Sequence, residues 1–427
     1  MNNPEISNIR ARQIFDSRGR PTIEVTVELE DGSTGSASVP SGASTGTFEA
    51  FELRDRCEDV YEGLSVFRAV ENVNSEIAAE LCGDDVLNQR EIDDSLRELD
   101  GTGRLERLGA NAVLGVSLAV SRAAAEFLKM PLYQWIAEIF DTKEITLPRP
   151  MVNILSGGRH AGCGMDIQDF LFIPQTAETF SDAVRQIAKT RFTADKLAKA
   201  KGFSTLLADE GGLSPSFPTA ADALEFMVEI FESAALRPFD DAVIAIDLAA
   251  TVLQTDANKY LFARENREFS ALEIIELMQD WAAEFPVVSI EDALGEEDWR
   301  HWKILNERLG DKIQIVGDDL FTTNPERVEK GIKEKSANAV LVKPNQNGTL
   351  TGTLEVIKKA QDNGLATIIS ARSGETADDF IADLAVGTAA GQIKIGSFRN
   401  SERLSKYNRL LQIEEETAAP LAFSPNL

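Results

Sequence analysis

AVIAID at 242–247, PVVSI at 286–290, IQIVG at 313–317, NAVLVK at 338–343 and ATIIS at 366–370 are the stretches whose reading decides the fold. Each is short, apolar and rich in β-branched residues, the pattern of a strand buried on both faces. Amphipathic helical stretches lie between them, among them SALEIIELMQDWAAEF, NPERVEKGIKEKS and TGTLEVIKKAQDNG. From the third run onward the steps are about 25–28 residues, one strand and one helix each, which predicts parallel strands with right-handed crossovers. A residue able to do chemistry ends or follows every run: Asp247, Glu291, Asp318, Lys343 and Arg372. In an eight-stranded βα barrel all strand C-termini open onto one face, whereas a doubly wound sheet usually gathers its ligand at one switch point. Recurrence over at least five units favours the barrel.

Upstream the rhythm is different. PTIEVTVELE at 21–30 alternates apolar and polar side chains, and a turn at 31–32 leads toward a second strand near 37–39. Helical patterns follow at roughly 64–82, 89–99 and 109–128. Strands first and helices afterwards predict an α+β domain. The fold class expected is therefore α/β: a modified (β/α)8 TIM-type barrel over 141–427 with a smaller N-terminal α+β domain over 1–140.

Composition narrows the partners. A net charge of -27 excludes nucleic-acid backbone binding, which needs a basic face. No apolar run approaches the length of a membrane span, and MNNPEISNIR lacks a signal-peptide core, so the expected setting is the cytoplasm, away from any membrane. Cys57, Cys82 and Cys163 are an odd number without metal-ligand spacing, which suggests reduced thiols used for packing. So acidic a chain can still bind a phosphorylated acid where metals and a few cations reverse the local field.

Asp247, Glu291 and Asp318 are hard oxygen ligands aimed at one spot, and magnesium suits them. Unpaired, they would raise one another's pKa values. The alternative is that each caps a helix or pairs with a cation. Lys343 is either a structural counter-ion or, beside a divalent metal and Lys394, a base of depressed pKa. ADEGG at 208–212 places Asp209 and Glu210 before a glycine pair, a candidate acid at a tight turn. The loop at 41–46, SGASTG, could close over a ligand or be a plain linker turn. Of the two histidines, His160 in SGGRHAG is the functional candidate and His301 is expected on the surface of an outer helix.

Together these residues resemble the enolase family along nearly the whole chain. The matching segments include DSRGRPT (16–22), VPSGASTG (39–46), FELRD (51–55), GANAVLGVSLA (109–119), GGRHAG, DIQDF (166–170), ADEGG, SIED (289–292), VGDDLFTTN (316–324), RSGET (372–376) and DLAVGTAAGQIK (383–394). Members of that superfamily use a lysine or histidine base with magnesium. The resemblance implies a barrel whose early units depart from strict βα order. It implies a first Mg2+ on Asp247, Glu291 and Asp318, and a second held with Ser44. Lys343 would take the proton from C2 of a small phosphorylated carboxylic acid. Glu210, with Asp169 beside it, would assist departure of the C3 hydroxyl. Lys394 and Gln168 would contact the carboxylate, Arg372 and Ser373 the phosphate, and His160 would close over the site. A homo-oligomer, dimer or octamer, is implied as well.

The chain also departs from the family pattern. Enolases read S-H-R-S-G-E-T where this chain has SARSGET, so Ala371 replaces a histidine. Asp169 replaces a glutamate, Ser156 an asparagine and Val252 a glutamate, and Pro344 and Asn347 alter the stretch after the base lysine. Most of these fall on the leaving-group side. Two enzyme readings result: a lyase acting on 2-phosphoglycerate, or a specialised paralogue such as carboxyphosphonoenolpyruvate synthase of phosphonate biosynthesis. A non-catalytic scaffold is the reading from another class, opposed by the costly charge cluster it would have to keep.

Overall fold

The computed structural model describes residues 3–42, 46–256 and 259–422, without the side chains of Arg159 and His160. The N-terminal sheet is antiparallel: β1 (Ile6–Phe15), β2 (Pro21–Leu29) and β3 (Thr34–Ser38). β1 carries Arg10 and Arg12 toward solvent on an edge, so its apolar alternation is weak and the sequence pattern alone did not reveal it. Helix Ala110–Leu128 packs on this sheet, and two glycines set the distance. A Cβ at Gly35 would lie 2.3 Å from the helix backbone at Ala119 and Ala123, and one at Gly115 would lie 2.6 Å from Val25. This helix is long and apolar enough to cross a membrane, contrary to the sequence expectation, but 78% of its most apolar window is buried inside the protein. Its apolar faces are those of a core helix.

The barrel is closed. It comprises β4 (Arg149–Ser156), β5 (Asp169–Pro174), β6 (Ala242–Asp247), β10 (Val287–Glu291), β11 (Gln314–Gly317), β12 (Ala339–Val342), β13 (Ala366–Ser370) and β14 (Gln392–Lys394). Outside it, β7 (Gln254–Asp256), β8 (Lys259–Phe262) and β9 (Arg267–Ser270) form a small sheet. The modification lies early: β4 runs antiparallel to β5 and β5 to β6, whereas all other neighbours are parallel. The glycine-rich link between β4 and β5 holds only a short 3-10 turn, Gly158–Ala161, so no crossover helix returns the chain to the same end. The later strands are the β-branched runs recognisable in the sequence. Their inner layer, including Met151, Leu171, Ile173, Val243, Ala245, Val316, Leu341 and Ile368, fills the barrel as a core of its own.

The three cysteines are exposed and free, which corrects the packing expectation: each lies in a turn or at a helix end. His301 lies on the expected helix, half-buried there. Its side chain is 14% exposed and its Nδ1 lies 2.7 Å from Asp298, the residue that caps helix Trp299–Leu309.

Candidate active site

Strand register brings the chemistry level at one end of the barrel. Glu291 of β10 pairs with Asp247 of β6, Ser370 of β13 pairs with Lys394 of β14, and Asp318 and Lys343 follow β11 and β12 by one residue. Lys394 Nζ lies 2.8 Å from Asp247 Oδ2 and 2.7 Å from Glu291 Oε2. Lys343 Nζ pairs with Asp318 Oδ2. One buried and one half-buried cation therefore face three buried carboxylates, an arrangement that breaks badly if one partner is removed.

These pairings decide the protonation states. Burial pushes Lys343 down, but the Asp318 and Glu291 carboxylates together outweigh it and hold the ammonium above the usual lysine value. Lys394 is held well above that value, because Asp247 and Glu291 overcome its burial. The depressed lysine expected from the sequence is thus not what the protein's own charges produce. Burial, then Asp247, pushes Glu291 well up, as carboxylate crowding predicts. Asp318 goes the other way, since Lys343 outweighs its burial and lowers it. Asp319 beside it is pushed up to about 7 by burial and by Asp318.

A cavity of about 50 Å³ opens here, lined by Gln168, Glu210, Asp247, Asp318, Lys343, Ala371, Arg372, Ser373 and Lys394, among others. Gln168 donates to Asp247 Oδ2 at 3.0 Å, and Glu210 accepts from Asn153 Nδ2 of β4 at 3.1 Å. Asp169 does not line the cavity; it is buried behind, where Ser156 Oγ donates to its Oδ1 at 2.6 Å. Burial, then Glu210, pushes its carboxyl well above the usual range. Two departures from the family pattern, Ser156 and Asp169, therefore touch each other. Asp209 is exposed and lines none of this cavity. His160 contributes its backbone to the turn Gly158–Ala161, its side chain lies outside the described atoms, and Ser44 lies outside the described residues. A larger groove of about 860 Å³, between helices of the two domains, brings together no comparable cluster.

Several residues here were missed from the sequence. Glu49, from the N-terminal domain, forms a buried ion pair with Arg372, with oxygens 3.1 and 3.3 Å from Nη1 and Nη2. Asn345 Oδ1 accepts from the same guanidinium at 2.8 Å. Gln346 Nε2 donates to Asp318 Oδ1 at 3.0 Å and to Glu49 at 3.3 Å, and so ties the metal-competent carboxylate to the anion-competent arginine. Burial lowers Arg372, but Glu49 more than restores it. The one signal for Glu49 was its place beside FELRD, a matching segment with no strand-end rhythm. The DSRG motif also gains a role: Asp16 accepts from Arg18, whose Nη2 donates to the carbonyl of Ser41 at 3.0 Å, while Ser41 and Gly374 exchange backbone bonds. Arg403 and Lys406, both fully buried, clamp the carbonyls of Arg372, Ser373 and Thr376 from helix Ser401–Thr417.

The donor set fits a hard divalent cation. Asp247, Glu291 and Asp318 offer oxygens only, and among the described residues Glu291 Oε1 is buried with no hydrogen-bond partner, a costly state that an ion would relieve. Asp292, Asp318 and Asp319 also place carboxylate oxygens within 4.8 Å of one another.

Fold and site together define a barrel enzyme that pairs lysines with carboxylates at its strand ends. Family models agree: the Enolase N-terminal domain matches residues 6–136 and the Enolase C-terminal TIM barrel domain matches residues 144–425. The chain belongs to the enolase family and is a hydro-lyase of the enolase superfamily.

Proposed function

We propose that the chain removes the C2 proton of 2-phosphoglycerate, or a close analogue, and eliminates water to give a phosphoenolpyruvate-type product. The observation that carries this reading is the placement of Lys343 and Glu210 on different sides of the barrel mouth. Lys343 follows β12, and Glu210 is tied to β4, three strands further round the ring. Removal of hydrogen and hydroxyl from adjacent carbons in opposite directions needs base and acid on facing walls. Lys343 would take the C2 proton on Nζ as the free amine, once Asp318 is engaged by a cation in its place; the electron pair forms the C2–C3 double bond, and the C3–O bond breaks as Glu210, in its acid form, supplies a proton to the departing hydroxyl. Lys394 and Gln168 would hold the carboxylate, and Arg372 and Ser373 the phosphate.

Magnesium would be held first by Asp247, Glu291 and Asp318, and second with Ser44, the latter on resemblance alone. Bound there, it would neutralise charge that gathers on the substrate carboxylate as its α-carbon loses a proton. Turnover of 2-phosphoglycerate with magnesium, followed by the vinyl proton signals, tests the reading; no product from this acid or a larger phosphoryl analogue overturns it.

Ala371 and the withdrawn Asp169 favour a second reading, a substrate with more bulk beside the leaving group, as in carboxyphosphonoenolpyruvate synthase. Turnover only with a nucleotide-activated phosphonoformate would select it. We further propose a cytoplasmic homo-oligomer, dimer or octamer, supported by free thiols and by exposed Phe192 and Leu206, which a second copy would cover. A monomer in sedimentation velocity would overturn the oligomer.

A further inference from the structure

We propose that Asp292 is a positioning residue that fixes Asp247, Glu291 and Asp318 relative to one another by gripping main chain. The proposal rests on the metal-dependent reading above and assigns Asp292 no direct contact with an ion. Asp292 is 3% exposed, and its φ of 44° puts a non-glycine residue in the left-handed region. Such a conformation persists only where surrounding contacts over-determine it, and here four do. The amide of Asp318 donates to Asp292 Oδ1 at 3.0 Å, and the amide of Asp319 donates to Oδ2 at 2.8 Å. Its own amide donates to the carbonyl of Val316 on β11 at 3.1 Å, and its carbonyl accepts from Ala250, beyond β6, at 3.0 Å.

Each of the three strand ends is thereby tied to one residue. Glu291 precedes Asp292 directly, Asp318 is held by its amide, and the segment after Asp247 is held through Ala250. Proximity of Asp292 to Asp318 and Asp319 would by itself suggest a third ligand. Its two oxygens, however, are spent on consecutive amides, which is the geometry of an anchor. Asp319 carries the same charge in the same cluster, yet among the described residues its carboxylate holds no main-chain amide.

That contrast supplies the test, a titration of the first equivalent of Mn2+ by electron paramagnetic resonance on the full chain. Asp292→Asn puts an amide donor against a backbone donor, and is expected to weaken Mn2+ about 10–100-fold, with Asp319→Asn changing it by about threefold or less. Equal losses in both variants would reduce Asp292 to a charge and overturn the proposal, as would unchanged affinity in Asp292→Asn. Failure of the wild type itself to bind Mn2+ would instead sink the reading of the three carboxylates. Should Asp292→Asn not fold, hydrogen exchange on the chelator-treated wild type decides: slow exchange at the amides of Asp318 and Asp319 is expected, and unprotected exchange there overturns the grip.

Discussion

The two halves of the site are built differently. On one side Asp247, Glu291, Asp318, Lys343 and Lys394 form two sets of ion pairs at strand ends. On the other, Glu210 sits in a loop, Asp169 is drawn back onto Ser156, and Ala371 offers only a methyl group. Strand ends carry the first half, and a turn and short side chains make up the second. On the proposed reading, proton removal and hydroxyl departure would be separable demands, the first kept and the second reshaped.

The largest effect should come from the base. Lys343→Ala is expected to lower kcat about 10³-fold or more and to stop exchange of the C2 proton, measured by turnover and by NMR. Glu210→Gln sharpens the contrast: product formation falls about 10²–10³-fold while C2 exchange continues. Equal loss of both signals would mean the halves are not separable.

A smaller effect belongs to the support beneath them. Gly35→Ala presses a methyl group onto backbone of helix Ala110–Leu128 and should cost about 1–3 kcal/mol of stability in chemical denaturation, with turnover per folded molecule nearly unchanged. The smallest is a pH effect on chelator-treated protein. Asp319 is pushed up to about 7 from an ordinary 3.8, so the folded state resists its ionisation. The unfolded chain releases that proton first, so stability falls as pH rises from about 4 through 7. Asp319→Asn should flatten that fall in melts at pH 5 and 8, and an unchanged slope would place the titration elsewhere.

The half made of carboxylates and lysines was legible in the sequence because its residues sit at the ends of repeating β-branched runs, where periodicity and chemistry coincide. Glu210 was legible only as one of two acids before a glycine pair, and Asp169 only by family motif, since β4 and β5 break the βα rhythm. Gln346 was not legible at all, and Glu49 only by its place beside a matching segment. Their role depends on how the N-terminal domain meets the barrel, a contact between segments about 300 residues apart that leaves no local pattern. Lys343 ends a strand run and so was legible, but its pairing with Asp318 was not, because that depends on two strand ends lying side by side.

The central claim, that the base half works on its own terms, is tested most directly by deuterium exchange at C2 of 2-phosphoglycerate with magnesium in deuterated water. Wild type and Glu210→Gln should both exchange that proton, and Lys343→Ala should not. Exchange that persists in Lys343→Ala, or is absent in the wild type, would contradict it.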